Sequence, residues 1–268
     1  MQDYIGRTET VHDTIWQPSV AAMAATLGIE TPQSALPPLW HWMLFQRWAP
    51  ATALGVDGHP QRGSFLPPLP GLDRRMWAGG RVVLLQPLPI GAAVTRTTTI
   101  LAITEKPGAS GPLVFVTLRH TIAGPDGPAI EEEQDLVFRA TQGEAVKPGE
   151  PAPAIVPIAS HTVTPDAVLL FRYSALTGNS HRIHYDADYA RTEEGYPGLV
   201  VHGPLQATWL ASLAQVALGG MLSRFSYRGR RPAFVGRMLR LEASNTPDGM
   251  RLRSVDADGA VSMTAEAA

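Results

Sequence analysis

The longest apolar pattern in the chain runs from Pro204 to Gly219. Leu205, Trp209, Leu213 and Val216 recur at helical spacing, and Leu210, Ala211, Ala214 and Leu218 fill most of the remaining wheel. That distribution predicts a helix buried on nearly every side. Gly203-Pro204 suits its start and Gly219-Gly220 its stop. Two further helices are predicted, over Pro18 to Gly28 and Asp166 to Gly178. Elsewhere the apolar runs shorten to strand length between Gly and Pro residues. In the first half they are Arg81–Gln86, Thr95–Thr104, Leu113–Ala123 and Ile130–Ala140. In the second they are Ala233–Ala243, Met250–Val255 and Ala260–Glu266. Gly124–Pro128, Pro247–Gly249 and Asp256–Gly259 read as the turns between neighbouring strands. The aromatic run Leu36–Phe45, with Trp40, His41, Trp42 and then Trp48, falls close to helical spacing and reads as core or as the wall of a ligand groove.

A helix followed by consecutive antiparallel strands therefore occurs twice. Between the two occurrences, residues 141–158 hold four prolines among small and charged residues, a composition that resists helix and central strand alike. The expected organisation is a first unit over 1–140, a linker over 141–158 and a second unit over 159–268. An α+β tandem repeat follows, each unit a long central helix wrapped by a curved antiparallel sheet.

At 268 residues, 44% hydrophobic and 17% charged, the composition is that of a folded globular protein. A net charge of -2 offers no field for phosphate backbones, so nucleic acid is not an expected partner. Without cysteine, disulfides, thiolate catalysis and cysteine-ligated metals are excluded. The first residues, Met1 to Ile5, lack the features of a signal peptide, and no run reaches the length of a membrane span. A cytoplasmic protein without a membrane partner is expected, and a homodimer or higher homo-oligomer is the default assembly.

Chemistry concentrates between Phe171 and Gly203. This stretch sets Asn179, His181, His184 and Asp186 just ahead of the apolar helix, a cost in solvation best explained by a ligand cavity. His184 is the candidate acid–base group, with Asn179 beside it to orient the ring or a water; a turn histidine bonded to backbone is the plain alternative. Gly203, at a helix N-terminus and without a Cβ, is placed to give its N–H to a carbonyl that gains charge, or simply to cap the helix. His181 and His202 read as pocket lining or as supports. A metal on His181, His184 and Asp186 is conceivable from ligand type, but none is expected. Arg228, Arg230 and Arg231 form a candidate clamp for coenzyme phosphates, and Arg172 and Arg182 are candidates to meet a substrate carboxylate.

Ser174-Ala-Leu-Thr-Gly-Asn-Ser-His-Arg-Ile-His-Tyr-Asp186, followed by Gly198-Leu-Val-Val-His-Gly203, resembles the signature of the MaoC-like hydratases of the hotdog fold. By that resemblance His184 falls on the catalytic histidine, Gly203 on the oxyanion donor and Asn179 on the position usually held by aspartate. Asn179, His181 and Arg182 depart from the family pattern. With Phe171-Arg-Tyr, and with Leu36–Trp42, Asp57–Pro60, Phe65–Pro68 and Arg75–Gly80 in the first half, the chain is similar to the branch of hydroxyacyl-thioester dehydratase type 2 and the mesaconyl-C4-CoA and itaconyl-CoA hydratases. The resemblance implies a double hotdog with a degenerate first unit and an active second one. It also implies a hydro-lyase acting on an acyl-CoA thioester with no metal or redox cofactor, coenzyme A being part of the substrate. The expected reaction is reversible hydration of mesaconyl-C4-CoA or itaconyl-CoA to citramalyl-CoA. A 3-hydroxyacyl-thioester dehydratase of fatty acid metabolism, a catalytically silent acyl-CoA binder and a thioesterase are the alternatives.

Overall fold

The computed structural model describes residues 1–108, 111–140 and 149–268; the first part of the expected linker, 141–148, lies outside the described residues. Ten strands form one antiparallel sheet. They are β1 (Thr8–Thr14), β2 (Arg74–Leu84), β3 (Ala93–Gly108), β4 (Gly111–Gly124), β5 (Gly127–Arg139), β6 (Ala159–Val163), β7 (Arg224–Gly229), β8 (Leu239–Thr246), β9 (Gly249–Val255) and β10 (Val261–Ala267). Their spatial order is β1-β3-β4-β5-β2-β7-β10-β9-β8-β6. Counted inward from either outer edge, each half follows the same sequence of its own first, third, fourth, fifth and second strands. The halves meet where Gly79–Val83 of β2 pair with Arg224–Arg228 of β7. A Cβ at Gly80 would lie 2.3 Å from the Tyr227 hydroxyl oxygen and 2.6 Å from the Glu133 carbonyl, so this seam closes only over glycine.

Four helices complete the fold: α1 (Gln17–Leu27), α2 (Ala167–Thr177), α3 (Ala187–Thr192) and α4 (Gly203–Leu218). The long apolar helix is α4, and it packs against all five strands of the second half. Leu205 and Leu210 are fully buried in that contact, each contributing about 1.5–3 kcal/mol. The first half has no helix of α4's length, α1 having 11 residues against 16. After α1 the chain makes only short 3-10 turns, at Trp40–Met43 and Ala51–Ala53, among the described residues of this half. The strands β3 to β5 are covered instead by an extended segment, with Phe65, Leu66, Leu69 and Leu72 packed on Ile100, Val116, Leu136 and Phe138.

Three features differ from the sequence reading. The edge strands β1 and β6 and the seam strand β7 were not among the expected strands. The run Ala233–Ala243 is strand only from Leu239; before it, Gly236 at φ 76° turns the chain. Ala233 and Phe234 are buried against the 199–201 segment, through Val201 N–H to the Ala233 carbonyl and the Val200–Phe234 bridge. The aromatic run is not a regular helix: it makes a 3-10 turn at Trp40–Met43, with Trp40 buried and Trp48 70% exposed. Among the described residues no helix is long and apolar enough to cross a membrane.

Candidate active site

Asp166 caps α2 by accepting from Leu169 N–H, and Gly178 ends it in the left-handed region at φ 60°. The chain then turns tightly. Asn179 Oδ1 accepts from the His181 N–H at 3.1 Å, and a 3-10 turn over Arg182–His184 follows. His184 is held against Val200 twice: the Val200 N–H donates to the Ile183 carbonyl at 2.9 Å, and His184 Nδ1 meets the Val200 carbonyl at 2.7 Å. A carbonyl only accepts, so Nδ1 carries the proton and Nε2 keeps its lone pair. Burial first, then the neighbouring His202, hold the His184 imidazole well below its ordinary value.

His202 stacks on His184 with ring centroids 3.7 Å apart. It shares a 2.8 Å hydrogen bond between Nε2 and the Ser174 hydroxyl, while its buried Nδ1 has no partner. Burial pushes it down to about 3. Gly203 follows as the first residue of α4. N–H groups of a first helical turn have no partner within the helix, and Pro204 supplies none. A Cβ at Gly203 would stand 2.7 Å from Trp77 Cε3, and Trp77 is in turn stacked on Tyr227 at 4.3 Å. The helix start is therefore roofed by an aromatic pair that leaves no room for a side chain there.

The first half reaches into the same region through residues 55–60. Arg182 N–H donates to the Asp57 carbonyl at 2.9 Å, and the Ser180 hydroxyl donates to that of Gly58. Asp57 Oδ1 accepts from the His59 N–H at 3.0 Å and Oδ2 from His59 Nδ1 at 2.9 Å. Burial pushes His59 down to about 4 against the pull of Asp57. Burial also opposes ionisation of Asp57, yet the His59 contacts hold its carboxyl below the usual range. The His59 ring lies 4.5 Å from that of His181, and His181 lies 5.6 Å from His184. His181 is fixed from behind by Glu194 at 2.9 Å, which also takes Arg74 at 3.1 Å. Asp57, His59 and His181 are close enough to share a cation. Both Asp57 oxygens meet His59, and His181 Nε2 meets Glu194; this trio is not the one considered from sequence, in which His184 and Asp186 took part.

A cavity of about 1060 Å³ opens beside this array, lined by Asp57, His59, Phe65, Arg75, Phe138 and Tyr189 among others. His184, His202 and Gly203 are not among its lining residues. The succession of rings from His59 through His181 connects it to them. Of the arginines singled out from sequence, only Arg182 lines the cavity. It is bound to Asp186 at 2.7 and 3.0 Å and to the Val56 carbonyl. Arg172 is exposed on α2, where nothing brings it to the cavity. Arg228 and Arg230 line a separate depression with Ser226 and Thr264, and Arg231 meets Asp256 at 3.6 Å. Asp57, His59, Arg75, Trp77 and Glu194 are the site residues that sequence reasoning did not select. An Asp-Gly-His step does carry a local signal, since aspartate often bonds the residue two positions on.

A sheet of two like halves, one bearing a long buried helix with a histidine loop at its start, defines a double hotdog. Over 98% of its length the chain is 47% identical to the mesaconyl-C4-CoA hydratase of Chloroflexus aurantiacus, covering 95% of that protein. It is 28% identical to the mitochondrial hydroxyacyl-thioester dehydratase type 2 of Schizosaccharomyces pombe, over 87% of this chain and 89% of that one. The fold matches a MaoC-like dehydratase from Phytophthora capsici (TM-score 0.72, 18% identity, 99% and 97% of the two chains). It also matches a double hotdog protein from Mycobacterium tuberculosis (TM-score 0.58, 14% identity, 98% and 95%). The sequence model of hydroxyacyl-thioester dehydratase type 2 matches residues 39–235, and the chain belongs to that family.

Proposed function

We propose that this protein hydrates the double bond of an enoyl-CoA thioester to give citramalyl-CoA: mesaconyl-C4-CoA, a 2-enoyl thioester, by hydroxide at the β-carbon and a proton at the α-carbon, or the isomeric itaconyl-CoA, whose terminal methylene takes the proton instead. What carries the reading is the 47% identity, over nearly the whole chain, to a protein named for that activity. The site geometry supports the chemistry. The Gly203 N–H and the positive end of α4 polarise the thioester carbonyl. His184 Nε2 takes a proton from water as hydroxide adds to the β-carbon, and the resulting imidazolium returns that proton to the α-carbon. A histidine held low by burial is a modest base but a strong acid once charged, which favours the return. Asn179 has its oxygen engaged with His181, leaving its NH₂ group to hold the water without titrating. This sequence of steps calls on no metal or redox group. In the same reading residues 1–140 form a degenerate supporting unit and residues 159–268 the catalytic one.

The test is direct. Purified protein with mesaconyl-C4-CoA is expected to lose enoyl-thioester absorbance and give a product heavier by one water. Conversion of crotonyl-CoA alone would overturn the dicarboxylic substrate and favour the dehydratase of 3-hydroxyacyl thioesters, a reading the Schizosaccharomyces pombe relative supports. Tight thioester binding with no turnover of either would leave a silent binder.

A further inference from the structure

A substrate with a free carboxylate must have that charge met when its acyl group leaves water. Four arginines line the cavity: Arg62, Arg74, Arg75 and Arg182. Three are committed to protein partners. Arg62 donates to the Leu69 and Leu72 carbonyls and to Asp73. Arg74 is paired with Glu194, and Arg182 with Asp186. The Arg75 guanidinium has no hydrogen bond or ion pair among the described residues. It stands at the start of β2 opposite Phe138 of β5, whose ring lines the same cavity. Asp57 is the carboxylate whose field it feels, but both Asp57 oxygens are occupied by His59. Burial lowers the Arg75 guanidinium from its ordinary value, although a guanidinium remains charged at neutral pH.

We propose that Arg75 receives the free carboxylate of a dicarboxylic acyl thioester and so sets this site's preference for acids over plain acyl chains. The inference rests on the hydratase reading above. A planar, weakly hydrated guanidinium with its donors unspent suits a carboxylate through two parallel hydrogen bonds. Selection then works in both directions. An acid gains a charge-assisted pair away from bulk water, whereas a hydrocarbon chain would cover Arg75 and leave its donors unpaired, with only the field of Asp57 on its charge. Neighbouring His59, neutral near pH 7, adds no charge of its own, and the ring contacts from His59 to His184 join the acid pocket to the base.

The experiment compares kcat/KM for mesaconyl-C4-CoA and its methyl ester, which keeps the acyl shape and removes the charge. The wild-type protein is expected to prefer the acid by about 10²- to 10³-fold. Arg75→Gln is expected to reduce that preference to within about fivefold, and Arg75→Lys, which keeps charge but not the fork, to an intermediate value. An acid preference that survives in both variants overturns the assignment to Arg75 while leaving the hydratase reading intact. If Arg75→Gln fails to fold, Arg75→Lys decides, and an unaltered preference there overturns the assignment. Wild-type protein that hydrates crotonyl-CoA but neither mesaconyl thioester overturns the substrate reading and this inference together.

Discussion

His184 has one nitrogen spent on Val200 and the other bare, and two consequences follow at the scale of the residue. His184→Ala is expected to lower kcat/KM by about 10²- to 10⁴-fold while circular dichroism shows the fold retained; a folded variant with the wild-type rate would remove His184 from the chemistry. Because a base works only when neutral, and burial holds His184 well below its ordinary value, the acid limb of kcat/KM should fall well below about pH 6.5, the usual histidine midpoint. A limb centred on that midpoint would contradict the burial. The spacing from Asn179 to Asp186 singled out His184 in the sequence, and the structure buries it at the end of the 3-10 turn over Arg182–His184. Its tautomer was not legible there, because the deciding acceptor is a backbone carbonyl 16 residues further on, and backbone groups leave no mark in a sequence. Arg75 was missed for a related reason. What sets it apart is the side-chain partners that its three neighbouring arginines have and it lacks among the described residues, a property of contacts rather than of residue type.

Among the elements, the 55–60 loop docks on the histidine loop through the Asp57 and Gly58 carbonyls. Gly58 sits at φ 90°, and a Cβ there would come 2.1 Å from the Ser180 carbonyl oxygen. Gly58→Ala is therefore expected to lower kcat/KM more than tenfold and to cost about 1–3 kcal/mol, read by steady-state kinetics and thermal melting. Gly91 has the same conformation, at φ 91°, with nothing within 4 Å of its Cβ position. Gly91→Ala should share the backbone strain and keep its activity, and equal kinetic losses in the two variants would refute the docking argument. The helix α4 could be read from its punctuation, Gly-Pro before and Gly-Gly after. The strands β1 and β6 could not, since each lies at a sheet edge and buries little: Val11 is the only residue of β1, and none of β6, that is fully buried. In β7 only Phe225 and Tyr227 alternate inward between charged and polar neighbours, too short a period to stand out.

For the whole molecule, the buried histidines link stability to pH. Burial pushes His59 and His120 down to about 4 and His202 to about 3, with His184 also well below its ordinary value. The unfolded chain takes up these protons first, near pH 6.5, so stability is full above that value and falls as the pH drops towards 4, by about 1.4 kcal/mol per pH unit for each group. A melting temperature several degrees lower at pH 5 than at pH 7 is expected, and one that holds or rises would show that these rings are charged in the folded protein. Duplication was legible in the recurring order of helix and strands. The mirrored pairing across the β2–β7 seam was not, because register across a sheet is fixed by contacts distant in sequence. That seam has an evolutionary consequence. In a dimer of identical single units, every change made to read a new acid would also alter the copy that must keep the base. On the proposed reading, joining the halves in one chain allows a division of labour: the half that carries α4 holds the proton transfer, and the other, with no helix of that length among its described residues, is at liberty to change what it recognises.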